Sequence, residues 1–363
     1  MSAVKSVIKL IVKIILKPLK ILFGITSDPV IKPLRGFGSQ EKVVVLGRVT
    51  ENAPETIVDR RFSGVRNALA TFRDYLADPI PEQSVTVTFA GTAVTVVTNE
   101  SGIFEAQFTP AAAIETNQAE WSTAEAYLTE PEEKTSVILE VLVEGKSNTY
   151  GIISDIDDTV LVSNATKKLK LIYMTMFKTA EKRSAFLGVA ALYAAFREGE
   201  KGESTNPVFY VSSSHWNLFE TLTAFFDINN LVKGPLLLKD NPGITRLLDG
   251  VGDHDHKRVK IEKVLAAYPS LPFVLSGDSG QHDAAIYADI AKRYPGRIKA
   301  IYIRDITVQE DQLVSKAQET LGKIVPLVVA KNSLLMADHA EKNGLITAEA
   351  SANVRAVEDS NSV

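Results

Sequence analysis

The stretch 150–161, YGIISDIDDTVL, sets Asp155, Asp157 and Asp158 within four positions after an apolar run, with Thr159 beside them. Carboxylates at that density repel one another, so a buried strand that ends on them needs compensating positive charge. A hard divalent cation supplies it. Mg²⁺ takes one or two protein carboxylates, keeps several waters and binds phosphate oxygens. Other reactive groups follow apolar runs in the same way. PVFYVSSS ends on Ser212, Ser213 and Ser214, and SGDSGQHD carries Asp278 and Asp283. DHDHKRVKIEKVL brings Lys257 and Lys260 near the start of a helical pattern. A lysine and a serine hydroxyl can hold the phosphate oxygens that the metal leaves. One aspartate can attack phosphorus and form an aspartyl-phosphate. Another, two residues on, can protonate the leaving oxygen and later activate water.

Plainer readings of the same residues fit less well. A calcium loop spaces its oxygen ligands on alternate positions and needs a glycine turn, which DIDDTVLVSNAT lacks. His254 and His256 with Asp253 and Asp255 suggest zinc, but no third strong ligand is near in sequence. Three serines without a G-x-S-x-G elbow do not make a serine hydrolase. His215 and Trp216 are expected to border the pocket.

The elements that must position these groups follow from pattern. From Tyr150 onward, the runs YGIIS, PVFYVS, PFVLS and IKAIYI alternate with helical stretches. This predicts an α/β domain with a parallel sheet, in which ligands sit at the carboxyl ends of strands. Residues 166–200 read as a small helical cap inserted between the first two strands. Upstream, KVVVLGRV, SVTVTFAG, TAVTVVTN, GIFEAQFT and SVILEVLV are short and β-branched, so residues 43–147 are expected to form a β-sandwich, with a helix over 62–78 between strands. Pro29, Pro33, Gly36 and Gly38 make residues 26–42 read as a linker. Residues 306–344 read as C-terminal helices and 352–363 as a polar tail. The partner of the β-sandwich is unknown at this level.

DIDDT resembles the DxDxT motif of haloacid-dehalogenase-type phosphatases, FYVSS their second motif and GDSGQHD their fourth, in the same order. More closely, SDIDDTV, VSSSHWN, GPLLLKD, HK and GDSGQHDAAIYADI resemble the actin-patch-associated phosphatidate phosphatases and their bacterial relatives, over residues 150–305. The resemblance implies a Rossmann-like core and a Mg²⁺-dependent hydrolysis of phosphatidate to diacylglycerol and phosphate. It implies Asp155 as nucleophile and metal ligand, and Asp157 as acid/base that also binds the metal through its carbonyl. Thr159 would order the loop, Ser212 bind the phosphoryl group and Lys257 neutralise it. Asp278 would complete the metal site, with Asp283 behind it. Ser213 or Ser214 can take the place of Ser212, and Lys260 that of Lys257; these groups and Lys239 are candidates for substrate binding. After GPLLL the family pattern runs Arg, Asp, Trp, where this chain has Lys239, Asp240 and Asn241.

Composition bounds the rest. The chain has 363 residues, 45% apolar and 23% charged, with net charge −4. That is globular and gives no basic character for nucleic acid. Cysteine is absent, which excludes disulfides and a thiol nucleophile and fits a reducing compartment. No apolar run is long enough to span a bilayer. The first 25 residues, however, set Lys5, Lys9, Lys13 and Lys17 four apart among Val, Ile, Leu and Phe, with Pro18 expected to kink or end the helix. This predicts a basic amphipathic helix lying on anionic membrane lipid, and a cytoplasmic, peripherally membrane-associated protein. The alternatives are the same chemistry on a soluble phosphomonoester, and a membrane-recruited scaffold that binds Mg²⁺ without turnover.

Overall fold

The computed structural model describes residues 17–53, 73, 76–110, 114, 116–129, 136–156, 180–202, 205–240, 255–279, 282–305, 312–322 and 324–360. Residues 157–179, with the first part of the expected cap, lie outside the described residues, as do residues 1–16 and most of 62–78.

The fold is α/β, with two sheets. Strands β1 (Thr26–Pro33), β2 (Arg35–Gly38), β3 (Val43–Asn52), β4 (Ser84–Phe89), β5 (Thr92–Val97), β6 (Ile103–Phe108), β7 (Glu120–Leu128) and β8 (Val137–Val143) form a mixed eight-stranded sheet. Its order is β1-β3-β2-β8-β7-β4-β5, with β6 paired to β3. Only β2 and β8 run parallel among its pairs. The second sheet holds β9 (Gly151–Asp155), β10 (Val208–His215), β11 (Leu236–Lys239), β12 (Phe273–Asp278), β13 (Ile298–Arg304) and β14 (Leu327–Ala330). Its order is β11-β10-β9-β12-β13-β14, parallel throughout. The helices are α1 (Ala180–Glu198), α2 (Phe219–Ile228), α3 (Asp255–Ala267), α4 (Asp283–Arg293), α5 (Gln312–Leu321), α6 (Ser333–Lys342) and α7 (Ala348–Ser360). Every residue of β9 and β12 is buried, the mark of parallel strands covered on both faces.

Three segments differ from their sequence reading. Residues 26–42 hold two strands rather than a linker. β1 is an edge strand, where Pro29 and Pro33 cost no ladder bond. Gly36 lies inside the sheet, where a Cβ would come 2.5 Å from the Val44 carbonyl oxygen. Between helices α5 and α6 the chain adds β14, whose four residues LVVA are too short to carry a period. The polar C-terminal stretch is helical through Ser360 and packs through Ala350 and Val354. At the other end, residues 17–22 are helical, with Pro18 in the first described turn.

β3 joins the two sheets, because period-2 alternation gives it two buried faces. Val43, Val45 and Val49 pack in the core of the mixed sheet. Val44 and Leu46 face the other way, into the core of the parallel-sheet domain. Phe37 of β2 enters that core too. Its ring is 5.7 Å from Phe209 edge-on and 6.3 Å from Tyr268 stacked. Tyr268 donates its hydroxyl to the Leu142 carbonyl at 3.2 Å, and Arg35 donates to Gly234 O at 3.2 Å. Removing the Phe37 ring should therefore loosen both halves at once. Phe37→Ala is expected to cost about 3–5 kcal/mol, read as one shifted transition in urea denaturation followed by both far-UV signal and tyrosine fluorescence.

Glu144 sits at the same joint. Burial raises its carboxyl to about 7, against the opposing pull of Arg297. A folded-state value above the unfolded one means stability that is full below pH 4.5 and lost as pH rises through about 7. Glu144→Gln should match the wild type near pH 4.5 and exceed it in urea-denaturation stability at pH 8.

Candidate active site

The chain leaves β9 for β10 and β11 on one side, then returns to build β12, β13 and β14 on the other. The crevice at the carboxyl ends of β9 and its neighbours is the switch point where such sheets bind ligands. Asp155 is the last residue of β9 and pairs in register with Val211, one residue before Ser212. Ser154 pairs with Ser276 on the other side, which brings the end of β12, Asp278, to the same rim.

Asp155, Asp278 and Asp283 are each wholly buried, and each offers a carboxylate oxygen within 4.8 Å of the others. Lys257, the third residue of α3, reaches in between them. Its Nζ is 2.7 Å from Asp155 Oδ1 and 2.7 Å from Asp283 Oδ1, with its side chain 4% exposed. Asp283 opens α4, where the helix dipole favours an anion. It also accepts the Asp278 backbone N–H at 3.3 Å. This approach requires Gly277, because a Cβ there would stand 2.6 Å from Asp283 Oδ2 and 2.8 Å from the Tyr287 ring. Three buried carboxylates thus gather at the lysine. The all-oxygen donor set suits a hard divalent cation.

The serines differ in placement. Ser212 is wholly buried and its Oγ accepts the Ser214 N–H at 2.9 Å; Ser214 is buried, and Ser213 is half-buried. The two lysines also separate. Lys257 meets the carboxylates, whereas Lys260 Nζ lies 3.4 Å from Asp240 Oδ1 and 5.7 Å from the Trp216 ring centre. Trp216 donates its indole N–H to the same Asp240 oxygen at 3.0 Å. Lys239 ends β11, opposite His215 in register. Asp157, Asp158, Thr159 and His254 lie outside the described residues.

Beneath the rim is a layer that sequence reasoning missed. Ser154 Oγ donates to Asp155 O at 2.8 Å and also meets the Tyr193 hydroxyl. Tyr193 lies 3.4 Å from Ser276 Oγ, and the Tyr287 hydroxyl donates to Ser276 O at 2.9 Å. Burial raises both phenols, and for Tyr287 the Asp283 and Asp155 charges add to it. They are neutral hydrogen-bonding struts between the ends of β9 and β12. Only the short Ser-Asp and Ser-Gly-Asp runs hinted at them.

Residues 150–305 match the family described as the catalytic domain of phosphatidate phosphatase APP1. That segment is similar to such a catalytic domain and covers less than half of the chain. The phosphatidate phosphatase APP1 of Saccharomyces cerevisiae is 29% identical over 174 residues, 48% of this chain and 29% of that protein. An uncharacterised protein of Schizosaccharomyces pombe is 30% identical over 184 residues, 50% of this chain and 29% of that protein. The chain thus matches under a third of the length of these curated relatives. A solved structure, a carbohydrate acetylesterase from Xanthomonas citri, is 11% identical and covers 84% of this chain and 69% of its own, at a TM-score of 0.28. That likeness is too slight to carry an argument.

The two lysines make a test of the site. Lys257→Met leaves two buried carboxylates without their shared cation and should cost about 3–5 kcal/mol. Lys260→Met breaks a pair whose partner is half exposed and should cost no more than about 1 kcal/mol. Urea denaturation of the two variants without added metal checks the contrast.

Proposed function

We propose that the chain is a Mg²⁺-dependent phosphatidate phosphatase that releases diacylglycerol and phosphate through an aspartyl-phosphate. The observation that carries this reading is the buried Asp155–Lys257–Asp283 bridge, with Asp278 beside it, at the switch point of an APP1-like domain. In the reading, residues 150–305 are a haloacid-dehalogenase-type core with its cap in 166–200, and residues 43–147 are a β-sandwich docked on it.

Asp155 Oδ attacks phosphorus, so a P–Oδ bond forms as the bond to the glyceryl oxygen breaks. Asp157 gives its proton to that leaving oxygen, then takes one from the water that attacks the phospho-aspartate. The P–Oδ bond breaks, Asp155 is restored and phosphate leaves. Lys257 pairs with Asp155 at rest and is in reach of the phosphoryl oxygens as charge shifts onto them. Ser212 donates a hydrogen bond to the same oxygens, with Ser213 and Ser214 as its neighbours in the turn. The carboxylates of Asp155 and Asp278, with Asp283 behind them, fit Mg²⁺, and the Asp157 carbonyl would be a further ligand; bound there, the ion would neutralise phosphoryl charge. Thr159 holds the nucleophile loop. Lys239 and Lys260 supply positive charge at the rim.

A lipid substrate is supported by the N-terminal segment, which we read as a helix on anionic membrane lipid. Ile21 and Leu22, at its described end, are 69% and 78% exposed. No helix among the described residues is long and apolar enough to cross a membrane. The reading places the protein in the cytoplasm at the membrane surface.

Phosphate release from phosphatidate vesicles, with and without Mg²⁺, tests this function. Mg²⁺-dependent release is expected, and Asp155→Asn should abolish it while the thermal unfolding curve stays that of a folded protein. Wild-type rates from pure Asp155→Asn would sink the mechanism. Turnover confined to water-soluble phosphomonoesters would favour the soluble-substrate reading. Mg²⁺ binding with no turnover and no trapped phospho-aspartate would favour the scaffold.

A further inference from the structure

The helical stretch 17–22 is apolar on both of its sides. Leu19, on the inner side, and Phe23, just past the stretch, pack on the small apolar cluster of Ile25, Ala53, Leu76 and Ala77. Lys17, Pro18, Ile21 and Leu22 are exposed, and positions one and four apart lie on one side of a helix. Ile21 is 69% and Leu22 78% exposed. A surface helix usually keeps its apolar stripe for the core and turns polar residues outward. Here the outward side is three apolar residues and a lysine, while the inward side carries another lysine, Lys20.

Lys20 is tied down. Its Nζ is 2.6 Å from Glu51 Oε2 and 2.7 Å from Asp78 Oδ2, with its side chain 16% exposed. Glu51 Oε2 also accepts the Asp78 N–H at 3.0 Å. Glu51 lies near the end of β3 and Asp78 in the segment before β4, so this latch grips the mixed sheet at two points. The exit from the stretch is fixed as well. Gly24 takes φ 69°, the left-handed conformation that ends a helix, and the Ile25 N–H donates to the Lys20 carbonyl at 2.9 Å. Ile25 is buried, and β1 starts at the next residue, Thr26. The stretch thus passes straight into the sheet, and its outward side is a facet of the folded body.

We propose that Pro18, Ile21 and Leu22 insert into the surface of an anionic bilayer, and that the Lys20 latch fixes the angle at which the protein stands on it. The proposal deepens the membrane reading above and rests on it. What adjoins the facet selects the occupant. Lys17 stands on the facet, and residues 1–16, which lead into it, carry Lys5, Lys9 and Lys13 and no acidic residue. Apolar side chains set among lysines match acyl chains beneath anionic headgroups. Lys20 is then a positioning residue and not a lipid ligand. It acts through the angle of the body, which decides whether the rim at Asp155 meets lipid of the same membrane. A segment hung on a loose linker would bring the protein to the surface in every orientation.

Because the chain has no cysteine, single labels on the full-length protein test the assignment. Leu22→Cys carrying a nitrobenzoxadiazole label is expected to shift its emission to the blue on vesicles of phosphatidylserine and phosphatidylcholine, and to be quenched by nitroxide lipids. The same label at Val97→Cys should stay in water; Val97 is 59% exposed on β5, at the opposite end of the strand order from β1. A Leu22 label that stays in water on vesicle-bound protein would overturn the facet. Energy transfer from the Val97→Cys label to an acceptor lipid then reads the angle. The chain with Lys20 should give a narrow distance distribution. Lys20→Met should give a broad one at unchanged vesicle binding, and Lys20→Arg, which keeps the ion pairs, a narrow one again. Equal widths in all three would overturn the latch, as would loss of vesicle binding in Lys20→Met, the mark of a direct lipid contact. On phosphatidate vesicles, Lys20→Met should lower kcat by roughly tenfold through misplacement of the site, with a dissolved short-chain analogue turned over as before. Equal loss on both substrates would overturn the positioning role. If no variant hydrolyses any phosphomonoester, the phosphatase reading falls, and the label and distance measurements still decide the facet and the latch.

Discussion

An ammonium group buried at 4% exposure is costly unless it is paired, and Lys257 is paired twice, at 2.7 Å to Asp155 and 2.7 Å to Asp283. The rest of the site is arranged around that double bridge. Each carboxylate alone would carry a desolvation penalty of several kcal/mol, which only well-placed opposite charge offsets. Lys257 can reach both because α3 starts at the rim where β9 ends, and Asp283 is present because α4 starts there too. Gly277 permits the approach by having no side chain in the way. The bridge thus converts the parallel order of the strands into a fixed distance between Asp155 and its neighbouring charges.

That rim would be soft if the strand ends beneath it could slide. Ser154 and Ser276, facing each other in register, are tied through Tyr193, and Ser276 is held again by Tyr287. Neutral phenols suit the role: burial raises both, so they donate hydrogen bonds without adding charge next to three carboxylates. Behind them, Phe37 and the inner face of β3 extend the same core into the mixed sheet. The N-terminal sheet is therefore part of the packing that supports the site rather than an appendage to it. The ion pair of Lys263 with Glu105 and that of Lys233 with Glu140, the latter at 2.5 Å, span the same seam.

Much of the site was legible in sequence for a physical reason. Asp155, Ser212 and Asp278 each follow an apolar run, and a parallel sheet puts all such ends on one rim. Lys257 and Asp283 open helical patterns, and helix starts return to that rim. What separates Lys257 from Lys260 is not legible, since both lie on one helix face; the difference is that Asp240 and Trp216 stand in front of the second. Tyr193 and Tyr287 were invisible because their partners are far away in sequence. In the fold, β1 and β2 were hidden by prolines and glycines that mark an edge and a close approach rather than a linker. β14 was hidden by its length. α7 was hidden by a polar composition whose buried stripe is only Ala350, Ser351 and Val354.

The departure after GPLLL now has a structural context. Position 239 is a lysine, and Asp240 follows it at the mouth, half exposed, accepting from both Trp216 and Lys260. A carboxylate beside an anion site would ordinarily repel the ligand. Here its charge is partly met by Lys260, and its geometry fixes an aromatic wall. The mouth is thus biased by shape as well as by charge. In the phosphatase reading, a phosphate held at Lys257 would leave Trp216, Asp240 and Lys260 to face the group it is esterified to. Selectivity for the leaving group would then be separable from the chemistry at Asp155, because different residues carry each.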